Sequence, residues 1–330
     1  MPAPCRALLG GRAATAAATP SPAPQTARLS NGLLVRCVSK RDVAFLDQEI
    51  YQRHGSGGCV YLRHGIQLPP GGVVLDVGAN IGLFSLRAAQ ELGPGGLVIS
   101  CEPMPATFDC LAHNVAAHRS WWRRQRQGPA ARGDAGAAPI LALNVGVGSG
   151  QQPSATFTFY PRAAGWSSMR PAEGDVEADM GAFLDQALSS RGASTAAGLD
   201  PTTAALGRWL RSAAPRWAYA AAWRLAVARM LSGAQRLACP LVSVSQLIRQ
   251  HRLAAVDLLK VDVERAELEV LRGVEGCHWP LVRQAALEVH AADLEEVVAL
   301  LRRQARFSSV VVEQEAALAG TSLHAVYCRR

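Results

Sequence analysis

The chain has 330 residues, of which 49% are hydrophobic and 18% are charged, which is enough apolar material for one full globular core. Its net charge of +8 is concentrated at the start, because residues 1–41 contain six basic groups and no acid. The rest of the chain is nearly neutral, which argues against a nucleic-acid partner. No uncharged apolar run reaches the eighteen or so residues of a membrane span, so we expect no transmembrane segment.

Residues 1–27 are acid-free and rich in Ala, Arg, Ser, Thr and Pro, which predicts a disordered tail. This composition is also typical of an organellar transit peptide, which predicts a plastid or a mitochondrion. The alternative is an untargeted tail of a sequence biased toward Ala and Arg, on a cytoplasmic protein. Eight scattered cysteines without a C-x-x-C pair predict reduced and mostly buried thiols.

From residue 73 onward, β-branched runs alternate with amphipathic stretches, which is the pattern of an α/β domain. Because the tail ends at residue 27, we expect the folded domain over residues 28–330. The seven predicted strands are VVLDVG (73–78), LVISCE (97–102), ILALNVG (140–146), VDLLKVD (256–262), QAALEVH (284–290), SSVVVEQ (308–314) and SLHAVYC (322–328). Their order predicts a Rossmann-like, mostly parallel sheet with helices on both faces. A short loop before the last strand fits the class I methyltransferase topology, in which that strand is antiparallel.

Two segments interrupt this pattern, at residues 119–138 and 171–236. The first reads as a loop-rich, Arg-rich insertion. The second is helical in composition, with Trp209, Trp217 and Trp223 among several Arg. Because it is inserted between core strands, we expect a helical cap over the active site. A partner surface and a membrane-surface helix are the alternatives.

The segment DVGANIG (76–82) follows an apolar strand and precedes a helix, which is the position of a nucleotide-binding turn. A dinucleotide fingerprint needs Gly where Asn80 and Leu83 stand, which disfavours NAD. A carboxylate at Asp76 suits a cationic amino-acid ligand such as S-adenosylmethionine. Glu102 is placed to accept hydrogen bonds from ribose hydroxyls. The predicted cofactor contacts are Asp76, Gly78, Ala79, Asn80, Gly82, Glu102, Pro103, Asn144 and Gly146.

In combination and order, VLDVGANIGLFS, CEPMPATFDCLAHN, GWSSM, VDLLKVDVERAELEVLRGV and ALEVH resemble the FkbM family of methyltransferases. The resemblance implies an S-adenosylmethionine-dependent enzyme that methylates hydroxyl or amide positions of small molecules, sugars or peptides. One departure is Arg265, because the family usually has Gly after D-V-E. A noncatalytic cofactor-binding module and a nicotinamide-dependent oxidoreductase are the competing interpretations. The sequence predicts no particular oligomeric state.

Proton-accepting side chains end two strands that we expect to be neighbours. Asp262 and Glu264 follow one strand, and Glu288 and His290 end the other, which makes these four the candidate catalytic residues. Lys260, one of two lysines among 34 basic residues, is a further candidate. The four acceptors also predict a site for a divalent cation of unspecified type. The alternatives are helix caps for the two acids after the first strand and a structural role for the histidine.

Overall fold

The computed structural model describes residues 23–52, 58–125, 136–170, 173–189, 201–314 and 318–330. The strands are β1 Gln25–Arg28, β2 Leu34–Cys37, β3 Val73–Val77, β4 Leu97–Cys101, β5 Ile140–Leu143, β6 Gly146–Val147, β7 Ser154–Phe159, β8 Gln235–Val242, β9 Leu258–Val261, β10 Gln284–His290, β11 Ser309–Glu313 and β12 Leu323–Arg329. The α-helices are α1 Lys40–Asp47, α2 Leu83–Leu92, α3 Pro105–Gln125, α4 Glu173–Ser189, α5 Pro201–Ala213, α6 Arg216–Leu231, α7 Val244–Gln250, α8 Glu267–Arg272 and α9 Ala291–Arg303.

A seven-stranded sheet organises the molecule, in the order β11-β12-β10-β9-β3-β4-β5. Five neighbouring strands, β5, β4, β3, β9 and β10, run parallel, and β12 is antiparallel to both of its neighbours. All seven strands predicted from the sequence are therefore confirmed, as is the reversed last strand. The chain has the Rossmann-like architecture expected of a class I methyltransferase.

The central strands are buried on both faces, which explains their nearly continuous apolar sequences. Residues of β9, LLKV, are all buried, and so are the last four residues of β3 and of β4. On one face the sheet packs against α2, and on the other against α7, α8 and α9. Helix α9 shows the expected amphipathic spacing, because Val297, Leu300 and Leu301 face the core.

The N-terminal part of the folded chain is a hairpin in which β1 pairs antiparallel with β2. The Asn114 side chain fixes it to α3, by accepting from the Arg36 amide and donating to the carbonyls of Arg36 and Ile81. The ordered fold thus includes residues 25–27, which the sequence assigned to the tail. Residues 1–22, and with them most of the predicted transit peptide, lie outside the described residues, so the targeting hypothesis stays a prediction.

The two interruptions differ from each other. The first is partly helical, because α3 continues to Gln125, and the His118 ring stacks on Trp121 and Trp122. The expectation of a loop from residue 119 was therefore wrong for its first seven residues, and residues 126–135 lie outside the described residues. The described part of the second interruption is mostly helical, with α4, α5 and α6 leading into β8 of a small sheet ordered β6-β8-β7.

A small apolar cluster holds the inserted helices to the domain. Met180 and Leu184 of α4 and Val227 of α6 pack with Tyr160 and Ala163 of the preceding loop. Among the described parts of the chain, no helix is both long enough and apolar enough to cross a membrane. The seven described cysteines form no disulfide, and all but Cys277 are buried.

Candidate active site

Two cavities meet at the carboxyl ends of the central strands, where open α/β sheets bind their ligands. The polar cleft is lined by residues of the loops after β3, β4 and β9 and by β6, including Asn80, Glu102, Gly146, Asp262 and Glu264. The apolar pocket lies between α1, α4 and α6. Its apolar lining includes Phe45, Leu46, Trp166, Met180, Phe183, Leu184 and Met230. Four residues line both cavities: Asn80, Gly165, Asp262 and Glu264.

The glycine turn after β3 is fixed by contacts within the protein. Gly78 has φ +79°, and a Cβ atom there would lie 1.7 Å from the backbone oxygen of Asp262. Gly82 has φ +91°, and its Cβ would lie 2.4 Å from Leu111 Cδ1. Only glycine tolerates this combination of backbone and space. Close contacts inside the protein therefore require glycine at both positions, and Gly78 also lines the polar cleft.

Asp76 does not face either cavity. Its side chain is fully buried, accepts a hydrogen bond from Ser85 Oγ at 2.5 Å and lies 3.2 Å from Lys260 Nζ. Lys260 also donates to the carbonyl oxygen of Gly78 at 2.7 Å. The predicted direct contact of Asp76 with a cationic ligand is corrected, because its charge is neutralised inside the protein. Lys260 is likewise an internal cation that ties β9 to the glycine turn.

Burial alone would lower the pKa of Lys260, but the carboxylates of Asp76 and Asp262 outweigh it and raise the pKa above the ordinary value. The ammonium therefore stays charged. Asp262 Oδ2 lies 3.4 Å from Lys260 Nζ and accepts a hydrogen bond from the Tyr61 hydroxyl at 2.9 Å. Burial raises the pKa of Tyr61 well above its usual value, and Asp262 raises it further, so the phenol is the donor. Two fixed partners thus hold the Asp262 carboxylate at the junction of the cavities.

Glu102 directly follows β4 and forms part of the cleft wall. Its Oε2 accepts from the amide of Asn80 at 3.0 Å, and its Oε1 accepts from the amide of Met104 at 2.9 Å. Burial raises the pKa of Glu102 to about 7, against the lowering effect of these two hydrogen bonds and of Lys260. Each carboxylate oxygen retains a second lone pair, so Glu102 can accept two further hydrogen bonds from a bound diol.

The other predicted cofactor residues divide into two groups. Asn80, Pro103 and Gly146 line the cleft, and a Cβ at Gly146 would come within 2.7 Å of Leu241 and Phe157. Ala79 and Asn144 support the cleft from behind. The Ala79 amide donates to the carbonyl of Cys101, and the Asn144 side chain donates to the carbonyls of Glu102 and Pro103. Their contribution is to fix the loop after β4.

The four candidate catalytic residues lie on adjacent strands, as expected. The register pairs Val261 of β9 with Leu287 of β10, which places Asp262 level with Glu288. Asp262, Glu264 and Glu288 line the apolar pocket, whereas His290 is buried behind it. Neither Asp262 nor Glu264 caps the following helix, because Ala266 is the N-cap residue and makes no side-chain hydrogen bond. The helix-cap alternative is therefore excluded.

Glu264 is the cavity-facing end of a row of three ionisable groups. His290 Nε2 lies 3.8 Å from Glu264 Oε2, and His290 Nδ1 lies 3.7 Å from Glu267 Oε1. Neither ring nitrogen makes a hydrogen bond with a described residue. Burial raises the pKa of Glu264 well above its usual value, and the carboxylates of Asp262 and Glu267 raise it further. A carboxylate with a raised pKa is a stronger base than a solvated one.

The predicted metal site does not come together. Within the described residues, a single set of three or more His, Cys, Asp or Glu side chains has its donor atoms within 4.8 Å of one another: Glu275, Cys277 and His278. That set lies on the surface turn after α8. Asp262, Glu264, Glu288 and His290 are not such a set, because Asp262 is held by Tyr61 and His290 lies between two glutamates.

Comparison with known proteins identifies the family. Residues 76–307 match the family model described as "Methyltransferase FkbM domain". The chain belongs to the FkbM methyltransferase family. It is 35% identical over 308 residues to "31-O-demethyl-FK506 methyltransferase FkbM" of Streptomyces tacrolimicus, which covers 93% of this chain and 97% of that protein. It is therefore a methyltransferase, and the resemblance seen in the sequence motifs is confirmed.

Two further relatives have different contexts. "AMB antimetabolite synthetase AmbE" of Pseudomonas aeruginosa is 30% identical over 312 residues, which cover 92% of this chain but 12% of that protein. "Methyltransferase sdnD" of Sordaria araneosa is 28% identical over 259 residues, covering 76% of each chain. The FkbM domain thus occurs in relatives of similar length and within a much larger synthetase.

Arg265, the departure from the D-V-E-G pattern, has φ +74°, which explains why glycine suits this position. Its side chain turns away from the cleft and forms an ion pair of 2.7 Å with Asp179 of α4. Asp179 also accepts from the amide and the hydroxyl of Ser322, before β12. Arg265 therefore joins the loop after β9 to the inserted helices.

The sequence analysis missed Tyr61, Glu267 and the residues of α1 and α4 that line the apolar pocket. Tyr61 stands in the approach segment YLRHGIQLPPG, but nothing local links it to Asp262, 201 positions later. Glu267 lies within the motif VDLLKVDVERAELEVLRGV, where it does not stand out among the other acids. It is 1% exposed in the structure and so needs a partner, but its burial is not visible in the sequence.

Proposed function

We propose that this methyltransferase transfers the methyl group of S-adenosylmethionine to a hydroxyl oxygen of a small-molecule, sugar or peptide-like acceptor with a substantial apolar part, with amide nitrogen as the second acceptor class. The proposal rests on the observation that the polar cleft and the apolar pocket share one wall, made by Asn80, Gly165, Asp262 and Glu264. A donor in one cavity and an acceptor in the other can meet only at that wall, and positioning is the main requirement of this reaction.

The residues of the polar cleft fit S-adenosylmethionine. Glu102 offers acceptors for two ribose hydroxyls, and Phe157, Met104 and Val147 supply apolar contacts for an adenine. The carboxylates of the cleft wall complement a cation. When bound, the cofactor supplies an electrophilic methyl group on a sulfonium. The Gly78 carbonyl, fixed by Lys260, and the Asn80 amide, fixed by Glu102, hold the turn in place without a ligand-induced rearrangement.

On the acceptor side, we assign Glu264 as the general base. Its carboxylate lines both cavities and takes the proton of the acceptor hydroxyl as the hydroxyl oxygen bonds to the methyl group, which leaves the sulfur of the cofactor. The His290 ring lies behind Glu264, between it and Glu267. Asp262 acts as a fixed negative charge, held by Tyr61 and Lys260. The inserted helices α4 and α6 supply Met180, Phe183, Leu184 and Met230, which exclude water and select the apolar part of the acceptor.

The name of the relative from Streptomyces tacrolimicus supports oxygen as the acceptor atom, because it describes a 31-O-demethyl compound as the substrate of that protein. The alignment extends over nearly the whole of both chains, so the pocket-forming insertion lies within the compared region. The name of the Pseudomonas aeruginosa relative, an antimetabolite synthetase, supports a small-molecule acceptor.

The first experiment is a thermal-shift comparison of S-adenosylmethionine with NADH on the full chain. Stabilisation by the former alone is expected, and stabilisation by NADH alone would reinstate the oxidoreductase hypothesis. In the second experiment, cell extract is incubated with the enzyme and methyl-labelled cofactor, and the labelled product is identified by mass spectrometry. Cofactor binding without any labelled product, across extracts that contain hydroxylated apolar metabolites, would instead support the noncatalytic module.

A further inference from the structure

Helix α6 carries apolar residues on two opposite faces. Its inner face contains Trp223, Val227 and Met230, which pack on α4 and the loop after β7, and Met230 lines the apolar pocket. Its outer face contains Trp217, Ala221 and Leu225, spaced four residues apart, and all three are exposed. Trp217 is 76% exposed and Leu225 is 72% exposed. A helix that is apolar on both sides normally has a partner on both.

Helix α5 adds to this outer surface. Leu206 and Trp209 lie three residues apart on one face and are 57% and 60% exposed. A two-residue turn joins α5 to α6, so Trp209 and Trp217 both lie close to it. Four of the seven large hydrophobic side chains that the described residues expose belong to this helical hairpin. Clustering of this kind marks an interaction surface.

The charge of the hairpin is of one sign. Residues 201–256 contain no Asp and no Glu, and α5 and α6 contain five arginines: Arg208, Arg211, Arg216, Arg224 and Arg229. Arg211 reaches back to Asp185 of α4. Arg216 and Arg224 are both exposed, and in sequence they precede Trp217 and Leu225, two residues of the outer face. Exposed Trp and Leu interleaved with Arg, without acids, is the composition of helices that lie in the interface of an anionic bilayer.

We propose that the α5–α6 hairpin is a docking surface for an anionic lipid membrane, with Trp209, Trp217 and Leu225 inserted at headgroup depth and Arg216 and Arg224 against the lipid phosphates. A second copy of the chain fits less well, because two acid-free, Arg-rich faces repel each other. An acidic protein would satisfy the arginines, but it would not require two tryptophans that are each more than half exposed. Binding here places a membrane-dissolved apolar acceptor beside the helix that lines the pocket.

The test is flotation of the full chain with vesicles of phosphatidylcholine alone and of phosphatidylcholine mixed with phosphatidylglycerol. We expect binding to the mixed vesicles and at least tenfold less to the neutral ones. One arginine at an anionic surface contributes a factor of about five, so Arg224→Gln should weaken binding about fivefold and Arg216→Gln/Arg224→Gln about 25-fold. Trp217→Ser/Leu225→Ser should also weaken it at least tenfold. Circular dichroism checks that each variant is folded.

Matched controls test the location. Arg303→Gln on α9 makes the same change of charge at an exposed site, and Leu34→Ser on β2 removes an exposed leucine, and both should bind as the wild type does. No binding of the wild type to anionic vesicles overturns the proposal. So does equal loss in the control variants. Binding of polyglutamate but not of vesicles would assign the surface to an acidic protein. A concentration-dependent dimer in sedimentation that Trp217→Ser abolishes would assign it to a second copy.

Discussion

The two cavities of the site are built in opposite ways. The polar cleft is lined by short loops that directly follow the central strands, and its key atoms are held by neighbours such as Lys260 and Glu102. The apolar pocket is lined by side chains of α1, α4 and α6, which are far apart in sequence and meet only after the insertion has docked. The polar cleft is thus part of the sheet and its loops, whereas the apolar pocket is formed by helices that pack onto the sheet.

In the proposed function, the polar cleft therefore provides a rigid binding site, and the apolar pocket provides specificity. A cleft made of backbone turns positions a common cofactor in the same way in every member of a family, whereas side chains on an inserted segment can change without disturbing the sheet. The wall shared by both cavities, Asp262 and Glu264, has to serve both. Substitutions should therefore divide into those that affect the cleft, the wall or the pocket.

The largest effect is expected at the shared wall. Glu264→Gln keeps the size of the side chain but removes the base, so turnover should fall by roughly 10² to 10⁴ while cofactor affinity stays within a factor of a few. Steady-state kinetics with calorimetry of cofactor binding separates the two. Because the pKa of Glu264 is raised by burial, the wild-type rate should increase with pH as this carboxyl loses its proton, and the Gln variant should lose that limb of the profile.

Glu288→Gln is the matched control, since Glu288 lines the apolar pocket but not the cleft. A smaller loss, confined to the KM of the acceptor, is expected there. Full activity of both Glu264→Gln and Asp262→Asn would mean that the base lies elsewhere. A chelator should leave turnover unchanged, because the four proposed ligands do not converge in this structure. Loss of activity on chelation, restored by Mg²⁺ or Mn²⁺, would reinstate the metal site.

Substitutions in the glycine turn should mainly lower the free energy of unfolding. Gly78→Ala places a Cβ against the backbone of Asp262 at a positive φ, so we expect a loss of about 2 to 5 kcal/mol in the free energy of unfolding. Gly93→Ala is the control, because φ there is +70° and nothing lies within 4 Å of the new atom. It should cost about 1 to 3 kcal/mol, because with ψ at −173° Gly93 lies in a backbone region that other residues rarely adopt. Equal losses in chemical denaturation would show that the turn can move away from β9.

A third effect belongs to the cleft alone. The pKa of Glu102 is raised to about 7 by burial, and its charged form is the better acceptor for ribose hydroxyls. Cofactor affinity should therefore fall by about tenfold when the pH is lowered from 8 to 6, because the carboxyl takes up a proton through this range. Calorimetry at several pH values measures it. Glu102→Gln should bind weakly at both ends, and a pH dependence that survives in this variant would come from another group.

The fold and the cleft could be predicted because their signals are local. Apolar runs bounded by turns gave all seven strands, and Glu102 and Asn80 follow strands directly. The other features of the site could not be predicted, because they depend on contacts between residues that are far apart in sequence. Asp76 was assigned to the ligand because its partner Lys260, 184 positions later, was not visible as a partner. The cleft is therefore readable from motifs, and the pocket is not.

The smallest effect concerns the joint between the two cavities, at Arg265. Both Arg265→Gly and Arg265→Ala remove the ion pair with Asp179, but only alanine keeps the strain of φ +74°. The free energy of unfolding of the glycine variant should therefore be about 1 kcal/mol higher than that of the alanine variant. Because the pair ties α4 to the loop after β9, both variants should raise the acceptor KM, within about tenfold, and leave cofactor affinity unchanged. Asp179→Asn keeps one oxygen acceptor, for the Ser322 amide, but removes the charge that pairs with Arg265, and it should reproduce the KM effect without the difference in strain. If cofactor affinity fell as much as acceptor affinity, Arg265 would belong to the cleft as well, and the two cavities would not be separable at this residue.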